Sequence, residues 1–286
     1  MAKLELLKQA TPTPTPGAVQ ARMSRRTRAL IAEMFADVRE QLRALPWKDL
    51  QPVEVRQVLE VGDAAPLDGG DPFVTQAALL FDRLMGQWLS IFDREAAQVG
   101  GAMVQGVLKA SDYHMGRTMR ELGKQITLTP GPALVQRVTA SAGEAAGLIK
   151  RVPAEFLPQI QGDVMRSITQ GEGLKDLLPA LKAREVKVKN WAENVARDQT
   201  RKTYATVNRT RAKEAGITKF RWIHSGGSNE PRKHHMTRWP AGLNGGVFSF
   251  DDPPVIDPRT GERGFPAQAP YCGCIMQFVV ELEEKQ

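Results

Sequence analysis

Two cysteines, Cys272 and Cys274, stand one residue apart near the C-terminal end of the sequence, and three of its four histidines, His224, His234 and His235, lie upstream of them. Thiolate and imidazole are the donors that zinc takes in tetrahedral structural sites. His235, Cys272, Cys274 and His224 are therefore candidate ligands of a structural zinc, with His234 as a further donor, if folding brings the Arg232-x-x-His235 loop against the Cys-x-Cys loop. A disulfide between residues so close would close a small, strained ring, so reduced thiols or metal ligands are expected instead. Two catalytic readings use the same side chains. Asp251 and Asp252 with the histidines could hold a magnesium or zinc ion for nuclease chemistry, yet Asp251-Asp252-Pro253-Pro254 is more simply a turn after a strand. A cysteine nucleophile with His235 as base would have neither a helix-borne thiol nor an oxyanion element beside it. With no Walker motif and no dinucleotide fingerprint in the sequence, the chain is expected not to be an enzyme.

A second constellation lies on one helix. At about 100° per residue, the helix that starts near Ala183 sets Arg197, Arg201, Tyr204, Asn208 and Arg211 on one narrow face, with Val188, Trp191 and Val195 on the opposite side of its first turns. Arginine and asparagine make fork-like hydrogen bonds to carbonyls, carboxylates and phosphates. The Gly-rich loop from Ser225 to Gly246 needs many such bonds for its backbone. Arg197, Asn208, Arg211 and Arg232 are accordingly expected to hold that loop.

The elements that must position these residues can be read from periodicity. After Gly216 the pattern alternates as strands do, at 219–224, 247–250 and 275–282, with long loops between. Upstream, apolar residues recur at three- and four-residue steps from Ser24 to Leu45 (Leu30, Ile31, Met34, Phe35, Val38, Leu42), and again from Phe73 towards Gly123. Gly100, Gly101, Gly106 and Gly116 mark breaks or close packing in the second run, and Met103, Met115 and Met119 read as gap fillers. Shorter helices punctuated by Pro153, Gly171, Gly173 and Pro179 follow. The opening LELLK could make one helical turn, and Thr11-Pro12-Thr13-Pro14-Thr15-Pro16-Gly17 reads as an extended tether. Residues 61–72 read as a loop. The expected fold is mainly α with a C-terminal α+β unit, in which one long helix packs on a short antiparallel sheet. The expected division is a flexible tether over 1–23, a helical domain over 24–182 and the α+β domain over 183–286.

The order ARDQT, Asn208, Arg211, Gly216, Trp222, HSGG, Pro231-Arg232 with His235, GGVFSFDD and a closing Cys-x-Cys resembles the phage Mu F-like head-morphogenesis family, with a helical lead-in from about Leu148. Two positions depart from that pattern: Gly273 stands where the family usually carries arginine, and Ser228 or Asn229 stands at a commonly acidic position. The resemblance implies a minor head protein of a tailed phage, located in the virion and made in the host cytoplasm. Its implied partners are the portal protein, the major capsid or scaffold protein, and double-stranded DNA bound without sequence preference. A DNA-processing, metal-dependent enzyme or toxin domain on the same fold is the alternative.

Composition agrees with a polyanionic neighbour and with a globular chain. The net charge is +7 over 286 residues, with 42% hydrophobic residues. Arg22, Arg25, Arg26 and Arg28 cluster near the expected helix start, where cations oppose the helix dipole unless phosphate meets them. No stretch reads as a secretory signal or approaches the ~18 apolar residues of a membrane span, so no membrane partner is expected. The apolar stripe around Phe35 could be core, or could dock in a groove of the portal ring.

Overall fold

The computed structural model describes residues 7–47, 72–126, 128–170, 173–226 and 231–281. Among them four long helices, α1 (Gly17–Arg43), α2 (Pro72–Leu122), α3 (Pro132–Thr169) and α4 (Leu174–Glu214), precede most of the β-structure. The strands are β1 (Leu7–Gln9), β2 (Lys219–Ile223), β3 (Val247–Ser249), β4 (Val255–Asp257), β5 (Glu262–Arg263) and β6 (Ile275–Glu281), with the one-turn helix α5 (Lys233–Met236) between β2 and β3. The protein is thus mainly α with a small antiparallel sheet in its C-terminal part, as its periodicity predicts.

The chain forms two compact units. A helical unit comprises Arg25–Gln98 and Ala146–Glu193, and a sheet unit comprises Met1–Ser24, Val99–Ala145 and Asn194–Gln286. Each long helix contributes residues to both, so the unit borders after Ser24, Gln98, Ala145 and Glu193 all fall inside helices.

In the helical unit the α1 stripe is buried inside the chain: Ile31, Met34, Phe35, Val38 and Leu42 are all fully buried. Pairs such as Arg26–Glu95, Trp88–Asp37 and Arg83–Gln41 run in opposite sequence directions, which makes α1 and α2 antiparallel. The stripe is core here and leaves no apolar face for a partner groove. Prolines do not divide these helices as expected. Pro153 and Pro158 lie inside α3 and Pro179 inside α4. Each removes one helical hydrogen bond, and burial of Val152, Leu157, Ile160, Leu177 and Leu181 around them offsets that loss.

In the sheet unit the strand order is β1-β6-β2-β3, and a separate hairpin joins β4 to β5. Phe220 and Trp222 alternate inward on β2, and with Met276 and Phe278 of β6 they join a core that includes Met115, Met119, Leu122 and Ala212. Gly216 ends α4 with φ 74, and the Ile217 N–H donates to the Ala212 carbonyl at 2.9 Å. This left-handed helix end turns the chain into β2. The glycines of α2 do not break it. A Cβ at Gly106 would come within 2.9 Å of Val19, so glycine there allows close approach of α1.

The N-terminal segment corrects two expectations. Leu7–Gln9 is a strand paired antiparallel with β6, not part of a helical turn. The Thr-Pro segment is docked rather than free: the Thr11 N–H donates to Glu121 at 2.9 Å and the Gln277 amide donates to the Ala10 carbonyl at 2.8 Å. Helix α1 also begins at Gly17 rather than Ser24. Residues 61–71 of the expected loop lie outside the described residues, as do Ser228, Asn229 and the remainder of LELLK before Leu7.

Candidate functional site

Sheet register builds the first half of the site. Strands β2 and β6 pair with Trp222 opposite Met276 and Ile223 opposite Ile275. One step further along the same antiparallel register, His224 faces Cys274, and their Nδ1 and Sγ atoms are 3.7 Å apart. The turn before β6 aims Cys272 the same way, with its N–H on the Ala269 carbonyl at 3.0 Å.

The other half comes from α5. His235 is 2% exposed and packs edge-on against Trp222, with ring centroids 5.0 Å apart. Its Nε2 lies 2.9 Å from the Ile256 carbonyl, which can only accept, so Nε2 carries the proton and Nδ1 presents a lone pair. That lone pair faces both sulfurs, at 3.5 Å from Cys272 and 3.9 Å from Cys274. The Nδ1 and Sγ donors of His235, Cys272 and Cys274 all lie within 4.8 Å of one another, and all three residues are buried. His234 turns elsewhere: its Nε2 bonds the Val255 carbonyl at 3.0 Å. Hydrogen bonding from Cys274 and the nearby His235 hold the Cys272 thiol down at about 4, against the cost of burial, while hydrogen bonding with Cys272 and burial push Cys274 up. The pair therefore holds a single negative charge readily and a second one at a cost.

Asn208 and Arg211 of the α4 polar face are buried too, and their described bonds go to other segments than the loop expected of them. Asn208 and Arg211 are 3% and 1% exposed. The Ser111 hydroxyl donates to Asn208 Oδ1 at 2.6 Å and accepts from Arg211 at 2.8 Å. The Arg211 guanidinium also pairs with Asp112 at 2.5 Å and donates to the Leu128 carbonyl at 3.2 Å. Asn208 reaches Thr13 of the Thr-Pro segment at 3.4 Å. These side chains therefore tie α4 to α2, to the α2–α3 connection and to the N-terminal segment. Residues 231–246 are held partly by their own bonds, such as Leu243 N–H to His234 O and Asn244 N–H to Thr237 O, and partly by bonds from His234 and His235 to the Val255 and Ile256 carbonyls.

Arg232 does serve as a clasp, since both of its terminal nitrogens donate to the Pro270 carbonyl at 3.2 Å just ahead of the cysteines. Arg197 is half-buried on the same α4 face. Sequence reasoning missed Asp198, whose Oδ1 accepts the Tyr271 N–H at 2.5 Å. Tyr271 has φ 57, a left-handed conformation costly for a side chain larger than glycine. The bond from Asp198 secures it immediately before Cys272. Asp198 sits within the ARDQT run, which was the signal available for it. His114 Nδ1 and the Tyr204 hydroxyl share a hydrogen bond at 2.6 Å, and burial with Arg117 nearby lowers the His114 pKa.

Of the α1 arginines, Arg22, Arg25, Arg26 and Arg28 are exposed. Because α1 starts at Gly17, they lie past its first turn, where the dipole penalty has largely faded. Arg26 sits 3.5 Å from Glu95, and Arg28 sits 3.6 Å from Glu193. No described helix is long and apolar enough to cross a membrane.

Residues 158–277 match the family described as phage Mu protein F like protein. An uncharacterized protein of Haemophilus influenzae is 26% identical over 158 residues, covering 55% of this chain and 33% of that protein. The chain thus spans about a third of the length of that curated relative. No solved structure matches the chain.

Proposed function

From the match of residues 158–277 to the phage Mu protein F like family, we propose that the chain is a minor head-morphogenesis component of a tailed phage. It acts near the portal vertex and assists head assembly, DNA packaging or delivery. The family match carries the proposal. Its partners are the portal protein and the major capsid or scaffold protein, and its place is the virion after assembly in the host cytoplasm. The geometry of the sheet unit favours a structural rather than a catalytic part. Cys272 and His235, the pair a thiol nucleophile would need, are 4% and 2% exposed and leave little access for a substrate.

Double-stranded DNA is the polyanion that the +7 charge and the exposed α1 arginines fit. Phosphate neutralisation releases counterions, so binding is expected to be indifferent to sequence and to weaken steeply with salt. Retardation of unrelated duplexes at several ionic strengths measures this, and replacing Arg22 and Arg25 by Glu should lower the slope against log salt by roughly 2. Particle assembly tests the main proposal. Deleting the gene should reduce DNA-filled heads, and mass spectrometry of wild-type heads should find the chain. Heads of normal number and DNA content that never contain the chain would overturn it.

A further inference from the structure

We propose that Cys272, Cys274 and His235, completed by His224, form a structural zinc site that joins three separated segments of the sheet unit. His235, Cys272 and Cys274 have donor atoms that all lie within 4.8 Å of one another, and His224, outside that mutual set, approaches it through Cys274. With Zn–S of about 2.3 Å and Zn–N of about 2.0 Å, adjacent sulfur and nitrogen ligands sit about 3.6 Å apart. The S···N separations are 3.5 Å for Cys272–His235, 3.9 Å for Cys274–His235 and 3.7 Å for Cys274–His224.

The histidine arrangement supports the same assignment. A ligating histidine usually donates its other ring N–H to a carbonyl or carboxylate, which fixes the tautomer and orients the ring. His235 does this through the Ile256 carbonyl at 2.9 Å, leaving Nδ1 free to coordinate. Trp222 walls one side of the ring. His234, one residue earlier, bonds the Val255 carbonyl through Nε2 and lies outside the group of mutually close donors.

Donor type and enclosure select the metal and its role. Two thiolates with two imidazoles in a tetrahedral array suit zinc among the available divalent ions. Cys272, Cys274 and His235 are each at most 4% exposed, so the site offers little room for substrate and serves structure rather than catalysis. Zinc takes both cysteines as thiolates, so binding is expected to weaken as pH falls. His224 is half-buried and near Cys274. It closes the site from the end of β2, tying that strand to α5 and to the turn before β6. This inference is independent of the head-assembly proposal, because it concerns only side chains that the fold brings together.

The test uses the full chain purified without chelator from zinc-replete cells. Elemental analysis should find about one zinc per chain. Cobalt exchanged into the protein should show tetrahedral visible bands and a near-ultraviolet thiolate-to-cobalt charge-transfer band. Chelation should lower the melting temperature by several degrees. The Cys272→Ser, Cys274→Ser double variant should retain on the order of a tenth of the metal or less, while His234→Gln keeps it. Should the cysteine variant fail to fold, the wild-type cobalt spectrum decides alone. Folded wild-type protein that carries no zinc and gives no thiolate–cobalt band would overturn the proposal, as would full zinc retention by the folded double variant.

Discussion

Helix α4 changes chemistry as it passes from one unit to the other. In the helical unit its buried positions are Leu177, Leu181, Val188 and Ala192, with Glu185 alone among charged residues and paired to Arg39 at 2.5 Å. In the sheet unit they include Asp198, Gln199, Thr200, Thr203, Asn208 and Arg211. The helical unit is held by apolar burial, which is non-directional and tolerates proline inside helices so long as neighbouring side chains stay packed. The sheet unit has short strands and long connections, and it relies on polar bonds whose partners must be placed individually. The contrast teaches that a polar helix stripe is not evidence of solvent when the facing elements supply Ser111, Asp112, Thr13 and a carbonyl.

The largest predicted effect tests the apolar side. Phe35→Asp places an unpaired carboxylate in a fully buried position of the helical unit. A loss of roughly 4 kcal/mol in denaturant unfolding is expected. Stability equal to wild type would show that the stripe is not core in solution, and would reopen docking on a partner.

A smaller loss tests the polar side. Arg211→Met removes the guanidinium from Ser111, Asp112 and the Leu128 carbonyl. Because Asp112 is 43% exposed and can be rehydrated, the cost should be about 2 kcal/mol rather than that of a stranded buried charge. Combined with Ser111→Ala, the cycle should give a coupling of about 1 kcal/mol. Strict additivity would mean that the network is a set of independent contacts.

These residues also show what could be read in advance. Strands β2, β3 and β6 were legible because alternation of apolar and polar side chains is a local property of the chain. Strand β1 was not, since Leu7–Gln9 has no alternation to show and is defined only by its pairing with Gln9 opposite Val279. The α4 stripe was visible as a stripe. Its partners were not, because Ser111, Leu128 and Thr13 lie on distant segments that nothing local connects to Asn208 or Arg211. Donor types marked the histidine–cysteine cluster, and the β2–β6 register explains why His224 meets Cys274, whereas His234 bonds the Val255 carbonyl.

The mildest effect lies at the surface of the sheet unit. Hydrogen bonds from Arg259 hold the half-buried Asp257 carboxyl down at about 2. The folded value lies below the ordinary ~3.9 of aspartate, so any contribution to the β4–β5 hairpin is present above that value and fades as pH falls towards 2. An NMR titration should find the Asp257 carboxylate still ionised at about pH 3, and the Arg259→Ala variant should return it to the ordinary range. An ordinary midpoint in the wild-type chain would remove this bond from the account.

Hydrogen exchange on a matched pair of variants tests most directly whether the two units are held by different means. Val38→Ala should speed exchange in the helical unit, at 25–47 and 146–170, and leave the sheet unit's 194–226 and 247–281 near wild type. Asn208→Ala, which removes the side chain bonded to Ser111 and Thr13, should do the reverse. The same uniform increase in both variants would contradict the account and show one cooperative core.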